Sequence, residues 1–394
     1  MVNRKIPKIR FKHFGDGWKS DKLGNLGTVA MNKRIFKEET SEVGEVPFYK
    51  IGTFGGKPDS FITRDKFEEY KSKYPYPKIG DILISASGSI GRTVEYQGEE
   101  AYFQDSNIVW LKHDGRIDNS FLKHFYAIVK WQGVEGTTIK RLYNKNILET
   151  PITLPSISEQ SAIGSLFCTL DDLLASYKDN LANYRSFKAT MLSKMFPKAG
   201  QNVPEIRLDG FEGEWKKDTL EPYLTESRIS GDTGLTAKKI TVKLWGKGVI
   251  EKEEKYAGSS NTQYFVRKAG QFIYSKLDFQ NQAFGIIPNE LDGYQSTLDL
   301  PSFDIQNIDP KFLLEYVMRR EFYEYQGLIA NGSRKAKRIH PEDFLVMPVR
   351  IPSLEEQQAI GTYFSNLDNL ISAHQEKISQ LETLKKKLLQ DMFI

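Results

Sequence analysis

The chain has 394 residues, 39% hydrophobic and 12% aromatic, which is enough for two or three packed domains. Its 55 basic and 51 acidic side chains leave a net charge of +4 and a pI near 8.7, so any basic binding surface has to be local. A single cysteine, Cys168, excludes an internal disulfide framework, and no run approaches the roughly 20 apolar residues of a membrane-spanning helix. The basic N-terminus lacks the apolar run of a signal peptide, so a soluble, cytoplasmic protein is expected.

In chain order, Ile6 to Phe11 and then Trp18 predict a short lead-in with an anchoring tryptophan. Gly80 followed by Asp81 to Ser85 predicts a turn feeding a short buried strand, and Ala101 to Trp110 is strand-like throughout. Phe121 to Tyr126 carries the aromatic stripe of a helix. A polar, basic turn from Gly136 to Asn144 then precedes a short strand at Pro151. From Pro155 to Phe196 the chain predicts one long helix. Ser156 and Glu159 have the spacing of a capping box, in which hydroxyl and carboxylate each satisfy an orphan amide. Ile163, Phe167, Leu170, Leu174, Tyr177, Leu181, Tyr184, Lys188, Met191 and Met195 follow in steps of four and three, a coiled-coil seam.

Residues 197–202 are a linker, after which the pattern restarts at an offset of 197, half of the 394 residues. Arg10 matches Arg207, Trp18 matches Trp215, and Pro155 matches Pro352. Ile360, Phe364, Leu367, Ile371, His374, Ile378, Leu381, Lys385, Leu388 and Met392 repeat the seam, with His374 as a polar break. The two rods are expected to pair antiparallel. Between lead-in and helix the halves diverge; Lys268 to Ser275, Tyr294 to Phe303, Phe312 to Tyr316 and a polar, basic turn from Asn331 to His340 before Pro348 are the echoes. The fold class expected is α+β: two globular domains separated by two long helices forming an antiparallel coiled coil, with internal pseudo-two-fold symmetry.

The chemistry-bearing candidates are basic and aromatic. In the first domain they are Lys50, Arg64, Ser85, Ser87, Ser89, Arg92, Lys140, Arg141 and Tyr143. In the second they are Lys238, Lys239, Lys243, Trp245, Lys247, Arg334, Lys335, Lys337 and Arg338. Such groups neutralise phosphates, and their planar or amide donors read base edges; a solvated charged face is the plain alternative. Gly88 to Thr93 lacks the spacing and lysine of a phosphate-binding loop. Five scattered histidines and one cysteine make no zinc pattern. Asp59, Glu69 and Lys71 loosely match a metal-dependent nuclease, but the last two sit in a stretch that reads as an exposed turn or helix, and surface charge is the favoured reading.

The motif P-S-x-x-E-Q-x-A-I-G at Pro155 to Gly164 and again at Pro352 to Gly361, each after a variable domain, resembles the specificity subunit of type I restriction-modification systems. The run from Gly80 to Ser85 is similar to that family's target-recognition domains. The resemblance implies target-recognition domains at 1–152 and 198–349 and spacer helices at 153–197 and 350–394. It implies that each domain reads one half of a bipartite, asymmetric double-stranded DNA site while the helices set the spacer. It further implies two docked modification subunits that methylate adenine, and restriction subunits that translocate and cleave DNA. S-adenosylmethionine, ATP and Mg would then belong to those partners, with no cofactor, metal or catalytic residue in this chain. Ile163, Phe167, Leu170, Leu174, Leu181, Ile360, Phe364, Leu367, Ile371 and Ile378 would serve the coiled coil and partner contacts. The alternative is a coiled-coil adaptor or DNA-binding protein without catalysis of its own.

Overall fold

The computed structural model describes residues 6–132, 141–253, 258–329 and 338–394. They form two units, residues 1–178 with 376–394, and residues 179–375.

In the first unit, strand Lys19–Lys22 pairs antiparallel with Pro151–Leu154, so the chain enters and leaves the intervening domain through one ladder. Inside that domain, an antiparallel sheet runs in the order Gly27–Ala30, Ile108–His113, Ile82–Ser85, Thr93–Glu95. The run Ile82–Ser85 is buried at every position, which is why it shows no polar alternation. Leu83 packs with Phe103 and Trp110, and helix Asn119–Ile128 lies against the same strand. A smaller sheet joins Phe61–Ile62, Val46–Tyr49 and Tyr102–Phe103. The strand expected across 101–110 is interrupted by a loop at 104–107, a correction that matters below.

The second unit repeats this plan. Lys216–Thr219 pairs with Pro348–Ile351, and the sheet order is Leu224–Ser227, Ser302–Ile305, Phe272–Tyr274, Phe284–Ile286. Its smaller sheet joins Ile229–Thr233, Gln263–Val266 and Gln295–Ser296. A hairpin of Ile240–Val242 and Val249–Glu251 has no counterpart among the described residues of the first unit. In both units a short helix, Asn144–Glu149 or Pro341–Leu345, stands between the basic turn and the closing strand, where the sequence reading had none.

The long helices are Ile157–Lys194 and Leu354–Met392, of 38 and 39 residues. Their seam positions are buried or half-buried in four-three steps, with Ile371 half-buried. In the first unit Asp171 pairs with Lys385 and Lys178 with Glu382 at 2.7 Å, so the chain directions oppose. In the second, Lys188 pairs with Asp368 at 2.7 Å and Tyr184 packs edge-on against His374 at 5.0 Å, again antiparallel. Each pairing recruits a third group from another helix of the same unit, Asn119–Ile128 or Pro310–Val317: His124 Nε2 lies 3.2 Å from Asp171, and Glu315 lies 2.8 Å from Lys188. Burial alone would raise the Asp171 carboxyl, but His124 and Lys385 outweigh it and carry its pKa down to about 2. Glu315 is pushed the other way, because its burial exceeds the attraction of Lys188.

The repeated motif is a packing device. Ser156 Oγ accepts the Glu159 amide at 3.3 Å, and Ser353 Oγ the Glu356 amide at 3.3 Å, which is half of the expected capping box. The other half is replaced. Glu159 takes Arg10 Nε and Nη2 at 2.6 Å each and Trp18 Nε1 at 3.3 Å; Glu356 takes Arg207 Nε at 2.8 Å and Nη2 at 2.6 Å. A buried carboxylate is better satisfied by a bidentate guanidinium than by one amide. Gln160 and Gln357 accept the amides of Asp118 and Asp309, at 2.9 and 3.0 Å, and so dock the starts of helices Asn119–Ile128 and Pro310–Val317. Gly164 and Gly361 make that approach possible: a Cβ would lie 1.8 Å from Ser120 Oγ and 2.6 Å from Asp309 Oδ1. Gly164→Ala or Gly361→Ala is expected to cost about 1–3 kcal/mol of unfolding free energy through overpacking. Urea midpoints equal to the parent's would refute the close approach.

Candidate nucleic-acid interface

The sheet of the first unit ends in a cluster of loops. Ser85 is buried beneath the turn 86–92; its hydroxyl donates to the Ser89 carbonyl and accepts the Arg92 amide at 2.9 Å. The Ala86 amide donates to Asn107 O at 2.7 Å, and Leu142 N to Ala86 O at 2.8 Å, drawing three segments together. Over this junction Ser87 Oγ donates to Asn107 Oδ1 at 2.8 Å, and Arg141 Nη2 donates to the same oxygen at 3.0 Å. Ile51 N donates to Gln104 Oε1 at 2.9 Å and Arg92 Nη1 to Phe54 O at 2.8 Å, which brings in the loop after Lys50. Lys50, Ser87, Ser89, Arg92 and Arg141 thus share one loop cluster, with Ser89 and Arg92 exposed. Lys50 also meets Asp59 at 2.8 Å beside a cleft of about 990 Å³ lined by Phe36, Lys37 and Gln104. Tyr143 is exposed two residues past Arg141, at the start of the short helix.

The second unit builds the same junction from different side chains. Lys276 N donates to Asp299 O at 2.9 Å, and Ile339 N to Lys276 O at 3.1 Å. Arg338, offset from Arg141 by 338 − 141 = 197 residues, donates through Nε to Asp299 Oδ1 at 3.3 Å. The seat is therefore a neutral carboxamide in one unit and a carboxylate in the other, and Ala86 is exchanged for Lys276. Burial pushes the Lys276 ammonium pKa down, against the pull of Asp299. Arg267 is buried among neutral acceptors, Ser296 Oγ at 2.7 Å, Ser227 O at 2.9 Å and Ser302 Oγ at 3.0 Å, and burial draws its pKa down to about 10. Lys243, Trp245 and Lys247 sit exposed at the tip of the extra hairpin. Lys238 and Lys239 lie over the rings of Tyr294 and Tyr264, and Arg64 pairs with Glu100 at 3.0 Å. Lys140, Arg334, Lys335 and Lys337 lie outside the described residues.

A guanidinium braced on one edge keeps its remaining donors in a fixed plane, suited to a phosphate or to the O6/N7 edge of guanine. The sequence reading found both arginines but not their seats, Asn107 and Asp299, nor Gln104 and Lys276. The turn-forming run Asp105-Ser106-Asn107 was the available signal; Ser106 stands at φ 54°. The three residues of the nuclease pattern are engaged apart: Asp59 with Lys50, Glu69 with Lys73 at 3.1 Å on helix Arg64–Lys73, and Lys71 over the rings of Phe67 and Tyr76. Among the described residues no cluster of His, Cys, Asp and Glu could hold a metal, and no helix is long and apolar enough to cross a membrane.

The family model for the type I restriction modification DNA specificity domain matches residues 15–183 and 300–383. A Haemophilus influenzae protein named as a type I restriction enzyme specificity subunit, S.HindORF215P, is 53% identical over 160 residues. That match covers 40% of this chain and 42% of that protein. The MjaVIII specificity subunit of Methanocaldococcus jannaschii is 22% identical over 334 residues, 79% of this chain and 74% of its own. Among solved structures, the type I restriction-modification S subunit from M. genitalium aligns over 99% of both chains with a TM-score of 0.60 at 15% identity. A second, from work on complex assembly and conformational transition of the type I system, aligns over 97% of this chain and 99% of its own with a TM-score of 0.50 at 14% identity. At such identities these structures speak for the fold alone.

Proposed function

Because the chain belongs to the type I restriction modification DNA specificity family, we propose that it is the sequence-reading subunit of such a complex, each unit reading one half of a bipartite, asymmetric site in double-stranded DNA. The observation that carries this reading is the repeated arginine seat. Arg141 on Asn107 and Arg338 on Asp299 occupy matched positions in one backbone junction, yet the side chains around them differ. A frame that only joined partners would gain nothing from matched but non-identical surfaces.

In this reading the domains are 1–152 and 198–349, joined through the helical segments 153–197 and 350–394. The helices act as the ruler between half-sites and dock two modification subunits, which carry S-adenosylmethionine and methylate adenine. Restriction subunits with ATP and Mg join that core, and this chain supplies the address without catalysing a reaction. Helices of 38 and 39 residues, about 57 Å at 1.5 Å per residue, are long enough for such a ruler.

The deciding experiment is methylome sequencing of cells expressing this chain with its modification partner, against cells without the chain. A bipartite adenine-methylated motif that depends on the chain is the expected result. Absence of any new motif, with the partner active beside another specificity chain, would overturn the proposal.

A further inference from the structure

The hairpin of the second unit, without counterpart among the described residues of the first, ends in an exposed apolar tip between two lysines of the sequence. Trp245 is 57% exposed and Leu244 38%, and Lys243 and Lys247 flank them. A single exposed apolar side chain is ordinary on a protein surface, but this one stands on a backbone held in a fixed posture. Trp245 stands at φ 61°, a conformation that a bulky residue rarely adopts, and Gly246 and Gly248 follow at 62° and 82°. The tip is also fixed from below. Trp245 N donates to Asn281 O at 2.8 Å, Gly246 N to Gln282 O at 3.0 Å, and Lys243 N to Gly248 O at 2.9 Å. A Cβ on Gly246 would lie 2.2 Å from Met318 Cε, so the tip is seated closely on the domain. The turn that receives it also carries Lys276, whose carbonyl accepts the Ile339 amide beside Arg338. The indole and the seated arginine thus border one turn.

Resting on the DNA-reading proposal above, we propose that Trp245 is a stacking wedge, inserted at a base step of the half-site read by the second unit while Lys243 and Lys247 hold the flanking phosphates. Apolar side chains inserted between base pairs unstack them and kink the duplex. A lysine two residues to either side in the sequence favours a polyanion over an apolar protein partner. The first unit has no such hairpin among its described residues, so the distortion falls on one half-site only.

The test uses the full chain in complex with its modification partner. The probe is a short duplex bearing the methylated motif, with 2-aminopurine placed at successive positions. Beyond the adenines that the modification subunits extrude for methylation, one further position in one half-site is expected to brighten severalfold on binding in the parent complex. Trp245→Ala should abolish that signal and weaken binding about tenfold without changing its salt dependence, since the indole meets no phosphate. Trp245→Phe should retain part of the signal, while Lys243→Ala with Lys247→Ala should flatten the salt slope. An unchanged fluorescence pattern in a Trp245→Ala complex that still binds the site would overturn the wedge alone. So would loss of partner assembly with DNA binding intact, because the indole would then be a protein anchor. A parent complex with no preference for the motif would overturn both the wedge and the reading beneath it.

Discussion

Arg207→Ala is expected to remove about 3–5 kcal/mol of stability, the cost of leaving a buried carboxylate without its cation. Glu356 is 1% exposed and takes both nitrogens of one guanidinium edge. Arg10→Ala should cost less, because Glu159 retains the Trp18 indole N–H; Trp215 Nε1 has no hydrogen-bond partner among the described residues. Adding Glu356→Gln to Arg207→Ala should recover part of the loss, since a neutral amide costs less to bury than a charge. Urea unfolding of the four proteins measures this. Equal midpoints for Arg10→Ala and Arg207→Ala would mean that the tryptophan contributes nothing.

The second large effect concerns sequence choice. Arg338→Ala is expected to relax one half of the methylated motif and leave the other half intact, and Arg141→Ala to do the reverse. Losing a planar donor pair to a base costs about 1–3 kcal/mol, roughly ten- to hundredfold in discrimination. Arg338→Lys should restore affinity more than specificity, because a lysine keeps the charge without the fork. Methylomes of cells carrying each variant decide it. Relaxation of both halves by a single substitution, or of neither, would make the seats scaffold.

What the sequence made legible was set by periodicity. The seam from Ile163 to Leu181, and its repeat from Ile360 to Ile378, could be read because burial on a helix recurs every three to four residues. Arg141 and Arg338 were among the candidates because each lies in the basic turn that closes its domain. The partners of Glu159 and Glu356 were hidden, since each lies 149 residues away and local spacing suggested a capping box instead. Asn107 was missed because the apolar ends Ala101 to Phe103 and Ile108 to Trp110 were read as one strand across the polar run Gln104 to Asn107; the loop there is set by parallel pairing of Tyr102–Phe103 with a distant strand. Trp245 could be seen as a candidate, but its fixed posture comes from bonds to Asn281 and Gln282, which no local pattern announces.

The ladders Lys19–Lys22 with Pro151–Leu154 and Lys216–Thr219 with Pro348–Ile351 have an evolutionary reach. Each globular domain begins and ends on neighbouring strands, about 5 Å apart. Whatever lies between is, to the rest of the molecule, a closed loop, and the free energy of closing a loop rises only slowly with its length. The gripping residues, Arg10 with Glu159 and Arg207 with Glu356, all lie outside those brackets. A gene segment spliced in between them can therefore bring a domain of another size and chemistry while the frame keeps its ladders and its arginine–glutamate pairs. Recombination at these two borders would change what the protein recognises in a single step, where point substitution would have to pass through readers that recognise nothing.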